Sequence, residues 1–240
     1  MILILPLIYS EVLLVTYQIQ PAYAQGTSWY VGYFDYTPPG VAYSHPGVYG
    51  EILTIDANVP SITTNMYCEW VATILSYSPM YWVQVGYLKG AIQTWVFYSP
   101  HYYVEKMDQA NTNGVSTFVP LNTSTPSAGS WHSYATRRPY YFPGESPPSY
   151  DPSEWRFYID NMGAYVWRFF VTPYIPIDEQ AFVEVYGTSQ IRITGSHFRN
   201  LRFFDAQLYW YYWDRHVARA DSPYTITEVS HHEFYANGGG

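Results

Sequence analysis

The sequence has only one cysteine in 240 residues, and only 12% of its residues are charged. The single thiol, Cys68, excludes an intrachain disulfide. A chain of this length can bury a core without such staples. Lysine occurs only at Lys89 and Lys106, and the formal net charge is -8. This balance argues against nucleic acid as a partner, because phosphates require a basic surface.

The chain also lacks an apolar run long enough to cross a membrane. Glu11, Gln18 and Gln20 interrupt the N-terminal apolar stretch, so no run of roughly 18 apolar residues remains. The stretch ends in Pro-Ala-Tyr-Ala, which predicts a secretory signal peptide over residues 1–24 with cleavage after Ala24. A membrane anchor and a retained first strand are the alternatives, since no basic residue precedes the apolar run. We expect an extracellular or cell-surface protein without a stable membrane span in the mature chain.

Aromatic residues, in contrast, are abundant: they make up 20% of the chain and include 28 Tyr and 9 Trp. Across residues 25–240, short runs with two-residue periodicity alternate with turn-forming residues, and no helix of ordinary length is predicted. We therefore predict an all-β, two-sheet antiparallel sandwich that forms a single domain. The proline-rich segment 121–153 is predicted to be a long loop around one strand.

Turn chemistry divides the chain into short predicted strands. Two hairpins are expected, one turning at Asn161-Met162-Gly163 and one joining 182–186 to 190–195. The last residues end in three glycines and are expected to form a loose tail. The predicted strands are 29–36, 48–57, four runs between 67 and 106, 116–120, 131–138, 154–160, 164–171, 182–186, 190–195, 198–205, 208–213 and 224–230.

Alternation also assigns side chains to faces of the predicted strands. The valines that flank two polar residues are expected to face the core: Val83, Val85, Val183 and Val185. Gln84 and Glu184 would then point outward among aromatic residues. A carboxyl group beside aromatic rings is partly desolvated, which raises its pKa and suits it to acid–base chemistry. The alternative is that each polar group bonds a neighbouring tyrosine or arginine.

The order of several short segments resembles the eqolisin-type glutamic peptidases. The segments are Trp29-Tyr30-Val31-Gly32, Glu51 to Ile55 with Val59-Pro60, Trp70-Val71, Trp82-Val83-Gln84-Val85-Gly86, Tyr102-Tyr103-Val104-Glu105 and Ala181-Phe182-Val183-Glu184. The resemblance implies a secreted, acid-active enzyme on a concanavalin-like sandwich (a jelly roll). It also implies a catalytic pair, in which Glu184 is the general base on a water and the Gln84 amide N–H stabilises the oxyanion.

Three functions remain open. The first is binding of an extended polymer, above all carbohydrate, through an aromatic outer face, because flat rings stack on sugars. The second is acid peptide hydrolysis by Gln84 and Glu184. The third is a structural subunit of a cell-surface layer or filament, assembling through strand edges. Expected partners are extracellular polysaccharide or polypeptide, and the oligomeric state is left open. The residues assigned to ligand binding are Trp82, Tyr103, Glu105, Trp167 and Tyr186.

Other chemistry has weaker support. Glu69 and Glu105 would suit a glycosidase if they faced each other across a sheet. His231-His232-Glu233 could bind a metal, but adjacent histidines on a strand point to opposite faces, and no third ligand follows at metal-like spacing. We therefore predict neither a metal nor a cofactor. Cys68 is interpreted as a small buried apolar residue.

Overall fold

The computed structural model describes residues 27–36, 46–112, 114–121, 125–138, 153–169, 177–205 and 209–240. The predicted signal peptide, residues 1–24, lies outside the described residues. The strands are β1 (Ser28–Tyr36), β2 (Gly47–Leu53), β3 (Met66–Tyr77), β4 (Met80–Ile92), β5 (Trp95–Asp108), β6 (Thr117–Pro120), β7 (Trp131–Arg137), β8 (Glu154–Ile159), β9 (Met162–Arg168), β10 (Asp178–Tyr186), β11 (Ser196–Phe204), β12 (Trp210–Tyr212), β13 (Val217–Ala220), β14 (Tyr224–Ser230) and β15 (Glu233–Gly238).

The strands form two antiparallel sheets in a single domain, which confirms the predicted sandwich. The seven-stranded sheet has the order β13-β1-β10-β3-β4-β5-β6. The eight-stranded sheet has the order β14-β15-β11-β2-β7-β8-β9, and β12 pairs with β11 beside this path. A four-residue helix, α1 (Gln109–Thr112), follows β5. In the part of the chain that the structure describes, no helix is long and apolar enough to cross a membrane.

The core lies between the two sheets and follows the predicted alternation. The four valines assigned to it are all fully buried there: Val83, Val85, Val183 and Val185. Large aromatic side chains fill the same layer, among them Tyr134, Trp155 and Phe157. The hydroxyls of Thr73 and Thr136 meet across the layer at 2.9 Å, so these two polar groups satisfy each other inside it.

β3 is the central strand of the seven-stranded sheet, and it is buried on both faces. Its first ten residues, Met66 to Leu75, are all buried. Tyr67 and Val71 enter the inter-sheet core. Cys68 and Trp70 instead enter a second apolar cluster on the outer face of the same sheet. A strand in this position therefore has no polar, solvent-facing side.

Two predicted runs between residues 94 and 106 are one strand, β5. Its pairing with β4 is irregular, because the register shifts between the pairs Leu88–His101 and Gly90–Phe97. Pro100 lies in this irregular segment, where no ladder hydrogen bond is required of it. The proline thus bends a continuous strand instead of ending it.

The predicted hairpin between 182–186 and 190–195 is wrong. β10 pairs with β1 and β3, and the chain after it crosses to the other sheet to begin β11. The crossover bends at Gly187 and Gly195, whose φ angles are +93° and +89°. Ile191 and Ile193 are both fully buried in the inter-sheet core. Their two-residue spacing therefore reflects filling of the core and not pairing within a strand.

The predicted loose tail is also wrong, because β15 lies inside the eight-stranded sheet between β14 and β11. Phe234 and Ala236 are fully buried in its inner face. The three terminal glycines follow Phe234 and Ala236 closely, and they made this buried strand look like a flexible tail in the sequence. The other predicted hairpin is confirmed as β8–β9, with Asp160 and Asn161 at positive φ angles of 50° and 61°, as a tight two-residue turn requires.

Glu69 is the one carboxyl group that β3 directs toward the inter-sheet side, and it is fully buried. The Tyr67 hydroxyl donates to its Oε1 and lies 3.0 Å from the Tyr87 hydroxyl. Burial raises the pKa of Glu69 to about 8, although the hydroxyls of Tyr67, Ser196 and Tyr87 offset part of this rise. The carboxyl group is therefore protonated in the folded protein at neutral pH.

We expect Glu69→Gln to flatten the pH dependence of the free energy of unfolding. The carboxyl pKa is about 8 in the folded state against a reference of 4.5, so the folded state binds the proton more tightly. This contribution to the free energy of unfolding is complete below the reference pKa of 4.5. It decreases by up to about 1.4 kcal/mol per pH unit as the pH rises toward the folded-state pKa of about 8. Urea unfolding at several pH values across this window measures the slope.

Asp56→Asn is the matched control, because Asp56 is a surface carboxylate that pairs with Lys89 at 2.6 Å. This variant should keep the slope of the unmodified protein. If Glu69→Gln keeps the same slope up to about pH 8, a buried, protonated Glu69 is ruled out.

Candidate functional site

The outer face of the seven-stranded sheet carries a second buried layer, which contains the predicted catalytic residues. Its side chains come from β1, β10, β3, β4, β5 and β6. Gln84 is 7% exposed and Glu184 is 4% exposed, so both are largely withdrawn from water. The apolar part of the layer consists of Tyr30, Met66, Cys68, Trp70, Ala72, Leu88, Ile92, Tyr103, Phe118 and Phe182.

Strand register places Gln84 and Glu184 on the same face but in different cross-strand rows. Gln84 lies opposite Ala72 of β3, whereas Glu184 lies opposite Cys68. These two β3 residues are four positions apart, which is about 13 Å along the strand. The predicted pair therefore lines one pocket without direct contact between its two members.

The partners of Gln84 fix the orientation of its amide group. Nε2 donates one hydrogen bond to the Tyr103 hydroxyl at 2.9 Å and one to Glu105 Oε2 at 3.0 Å. Glu105 also accepts a hydrogen bond from the Ser116 hydroxyl. Because an amide has only two such hydrogens, Gln84 retains its carbonyl oxygen alone for a ligand. This differs from the oxyanion-donating role that the family resemblance implies.

Glu184 is held mainly by hydroxyl groups. The Tyr30 hydroxyl donates to Oε1 at 3.1 Å, and the Ser28 hydroxyl lies 3.5 Å from the same oxygen. The Cys68 sulfur is 3.9 Å from Oε2. Burial raises the pKa of Glu184 to about 7, and the Tyr30 hydroxyl together with the nearby indole N–H of Trp70 offsets part of the rise. The direction of this shift is the one expected for a carboxyl group beside aromatic rings, and it leaves the group protonated at acidic pH.

A narrow pocket lies over β3 between these groups. Its volume is about 20 Å³, which is room for about one water molecule. Five successive outward residues of β3, from Met66 to Ile74, form its floor, a length of about 26 Å. The lining residues are Tyr30, Met66, Cys68, Trp70, Ala72, Ile74, Trp82, Gln84, Ile92, Tyr103, Glu105, Gln180 and Glu184.

Two polar atoms in the lining have no hydrogen-bond partner among the described residues: Trp70 Nε1 and Gln180 Oε1. Trp70 is only 2% exposed and Gln180 only 1%. A buried, unpaired donor or acceptor is costly, so each of these atoms is available to a water or a ligand. Neither residue was assigned to the site from the sequence. The sequence spacing could have identified both residues. Trp70 lies two residues after Cys68 and Gln180 lies four residues before Glu184, so each is expected on the same strand face as that neighbour.

The aromatic binding face predicted from the sequence is not assembled. Trp82 is 4% exposed and Tyr103 is 1% exposed, so neither ring offers a face to a sugar. Tyr186 is partly buried against the second layer. Trp167 belongs to the other sheet, where it packs against the inter-sheet core with Lys106 Nζ 4.8 Å from its ring. Alternation within β9 turns this ring inward, away from the other predicted ligand-binding residues.

The weaker candidates are separated as well. Glu69 and Glu105 lie on opposite faces of one sheet, so the glycosidase-type pair is wrong. His231 and Glu233 have different partners: His231 Nδ1 lies 3.0 Å from His216 Nδ1, whereas Glu233 lies 2.9 Å from His197 Nε2. Among the residues that the structure describes, no group of three or more histidine, cysteine or acidic side chains is placed to hold a metal ion.

The sequence matches no protein-family model and no curated protein sequence. Among solved structures, the chain is similar to scytalido-glutamic peptidase with a peptide-based transition state analogue, at 10% identity and a TM-score of 0.57, covering 90% of this chain and 100% of that one. It is also similar to SCP-B, a member of the Eqolisin family in complex with the tripeptide Ala-Ile-His, at 8% identity and a TM-score of 0.52, covering 90% and 100%. These similarities confirm the predicted resemblance at the level of the fold.

The thiol of Cys68 should be inert in the folded protein. It is 2% exposed, and burial together with the charge of Glu184 raises its pKa well above the usual value. Because the thiolate is the reactive form, we expect a disulfide reagent such as Ellman's reagent to label the protein only after unfolding in urea. Cys68→Ser supplies the background signal. Rapid, stoichiometric labelling of the native protein would contradict the described packing.

Proposed function

We propose that the protein hydrolyses polypeptide chains that bind in extended form along β3, with Glu184 as the general base. One observation carries the proposal: a carboxyl group whose pKa burial raises to about 7 lies in a pocket with room for about one water. A base with a pKa near the working pH is the most effective at taking a proton from water.

The second element of the proposed centre is a hydrogen-bond donor for the developing oxyanion. Trp70 is a diagonal cross-strand neighbour of Glu184, because Glu184 pairs with Cys68, two residues away in β3. The indole N–H has no partner within the described residues and lies near enough to lower the pKa of Glu184. A preorganised donor in a dry site stabilises negative charge strongly.

Gln84 has a binding role in this proposal. Tyr103 and Glu105 occupy both of its amide hydrogens, so its carbonyl oxygen would accept a backbone N–H from the substrate. The substrate N–H would then lie about 13 Å along β3 from the residue opposite Glu184, which is about four residues of an extended chain.

The direction of the pocket floor supports a linear substrate, although the pocket itself holds only about one water. The buried side chains over β3 would have to move apart to admit a polypeptide. The pocket floor follows a single strand, and a chain in extended conformation has the same repeat as the strand beneath it. The solved structures with this fold contain a peptide-based analogue and a tripeptide, which makes polypeptide the first substrate to test. Apolar lining residues such as Ile74 and Trp82 favour apolar side chains in that substrate.

We expect hydrolysis of a denatured, dye-labelled protein to increase with pH and to reach half its maximum at about pH 7, where Glu184 loses its proton. Glu184→Gln should lower kcat/KM about 100-fold or more, because the amide cannot accept the proton. Gln84→Ala should act mainly on KM. Initial rates across the pH range, with circular dichroism as a check of folding, measure these effects.

Glu228→Gln is the control, because Glu228 lies on β14 of the other sheet and pairs with His216 at 3.0 Å. It should retain full activity. Activity that is unchanged in Glu184→Gln, or that is highest near pH 3, would exclude Glu184 as the base.

We also propose that the chain is exported and that residues 1–24 are removed as a signal peptide. The mature protein recovered from the culture medium of an expressing host should then begin at Gln25. Intact-mass measurement decides this point, since retention of the whole N-terminal segment would add 24 residues. A full-length chain found only with cell membranes would favour an anchor.

A further inference from the structure

Five of the nine arginines in this acidic chain lie on one face, the side of the eight-stranded sheet turned away from the inter-sheet core. They are Arg137, Arg156, Arg168, Arg199 and Arg202, and we call this surface the arginine face. The outward positions of β2, β7, β8, β9 and β11 contain two carboxylates, Glu51 and Glu154. Arg156 and Arg168 share Glu154 at 2.8 and 3.1 Å, and Arg199 pairs with Glu51 at 2.8 Å.

Two of these arginines have no carboxylate partner among the described residues. Arg137 directs Nε and Nη2 to the Tyr158 hydroxyl, both at 3.2 Å. Arg202 donates from Nη2 to the Tyr212 hydroxyl at 2.8 Å, and its Nε is buried without a hydrogen-bond partner. Each therefore keeps a full positive charge and unused N–H groups.

Aromatic rings hold both guanidinium groups in place. Arg202 lies 5.4 Å from the ring of Tyr49 and 4.5 Å from that of Tyr212. Arg137 lies 5.0 Å from the ring of Tyr158. A guanidinium group supported by rings loses little freedom when it binds, and its planar fork matches the two oxygens of a carboxylate or sulfate.

The rings and one of these cations form a straight row across five strands. Tyr212 of β12 pairs with Arg202 of β11, which pairs with Tyr49 of β2. Tyr49 pairs with Ala135 of β7, which pairs with Tyr158 of β8. Four strand spacings of about 4.8 Å give a row about 19 Å long. Such a row fits an elongated ligand that offers flat apolar faces and anionic groups in turn.

We propose that the arginine face binds an acidic polysaccharide, one whose sugar rings carry carboxylate or sulfate groups. Sugar rings stack on tyrosine, and the two unneutralised arginines pair with the anionic substituents. Nucleic acid fits less well, because the net charge of -8 repels a continuous phosphate backbone and the face has no lysine. This site is on the opposite sheet from the pocket over β3 and does not depend on hydrolysis.

Titration calorimetry of the full chain tests the proposal with five polymers: polygalacturonate, dextran sulfate, neutral dextran, poly-glutamate and single-stranded DNA. We expect binding to one or both of the first two, weakened as salt rises from about 0.05 to about 0.2 M, and none to neutral dextran. Carboxylate and sulfate sources are distinguished by which polymer binds. Equal binding of poly-glutamate, or of single-stranded DNA, would overturn the assignment to polysaccharide.

The variants Arg202→Gln and Arg137→Gln should each weaken binding by about tenfold. Arg192→Gln is the matched control: it removes the same charge from an exposed position in the crossover before β11, and its affinity should be unchanged. Tyr212→Ala should weaken binding without changing its salt dependence. Equal losses in Arg192→Gln and Arg202→Gln would show only general charge attraction and would refute the site.

Discussion

The structure depends on one constraint: the central strand of the seven-stranded sheet is buried on both sides. A strand that faces water on one side can place its polar groups there, but β3 has no such side. Every polar group on it and beside it must find a partner within the protein or stay uncharged. The tyrosines supply most of those partners, since each brings a large apolar ring and one hydroxyl. Their abundance thus follows from the architecture.

The same constraint accounts for the two carboxyl groups with raised pKa values. Glu69 on the inner face and Glu184 on the outer face are both withdrawn from water, and burial is the largest cause of the rise in each. Neither has a cationic partner in the described structure; tyrosine hydroxyls hold both. A neutral carboxyl group loses little on burial, whereas an ionised one would lose much. The folded state is therefore favoured at acidic pH and keeps both carboxyl groups protonated there.

Two-residue periodicity predicted the sheets and the faces of Val83 and Val183 correctly, because alternation is a property of each strand alone. It failed where the answer depends on which strands are neighbours. The spacing of Ile191 and Ile193 matched a strand, yet these residues cross between sheets. The sequence could not show how far apart Gln84 and Glu184 lie along the sheet. Their separation depends on which β3 residues they pair with, and this register is set by the pairing of β4 and β10 with β3. Three terminal glycines concealed β15, whose anchors are Phe234 and Ala236.

Charge is distributed as unevenly as polarity. The pocket over β3 is lined by groups that burial keeps neutral or pairs by hydrogen bonds, while the opposite sheet concentrates more than half of the arginines of an acidic protein. A face that concentrates positive charge on an acidic protein would attract an anionic polymer, and this charge pattern would orient the encounter. Because the arginine face and the pocket over β3 belong to opposite sheets, a polymer bound at the first would leave the second open to the solution. The two proposed sites therefore do not compete for one surface.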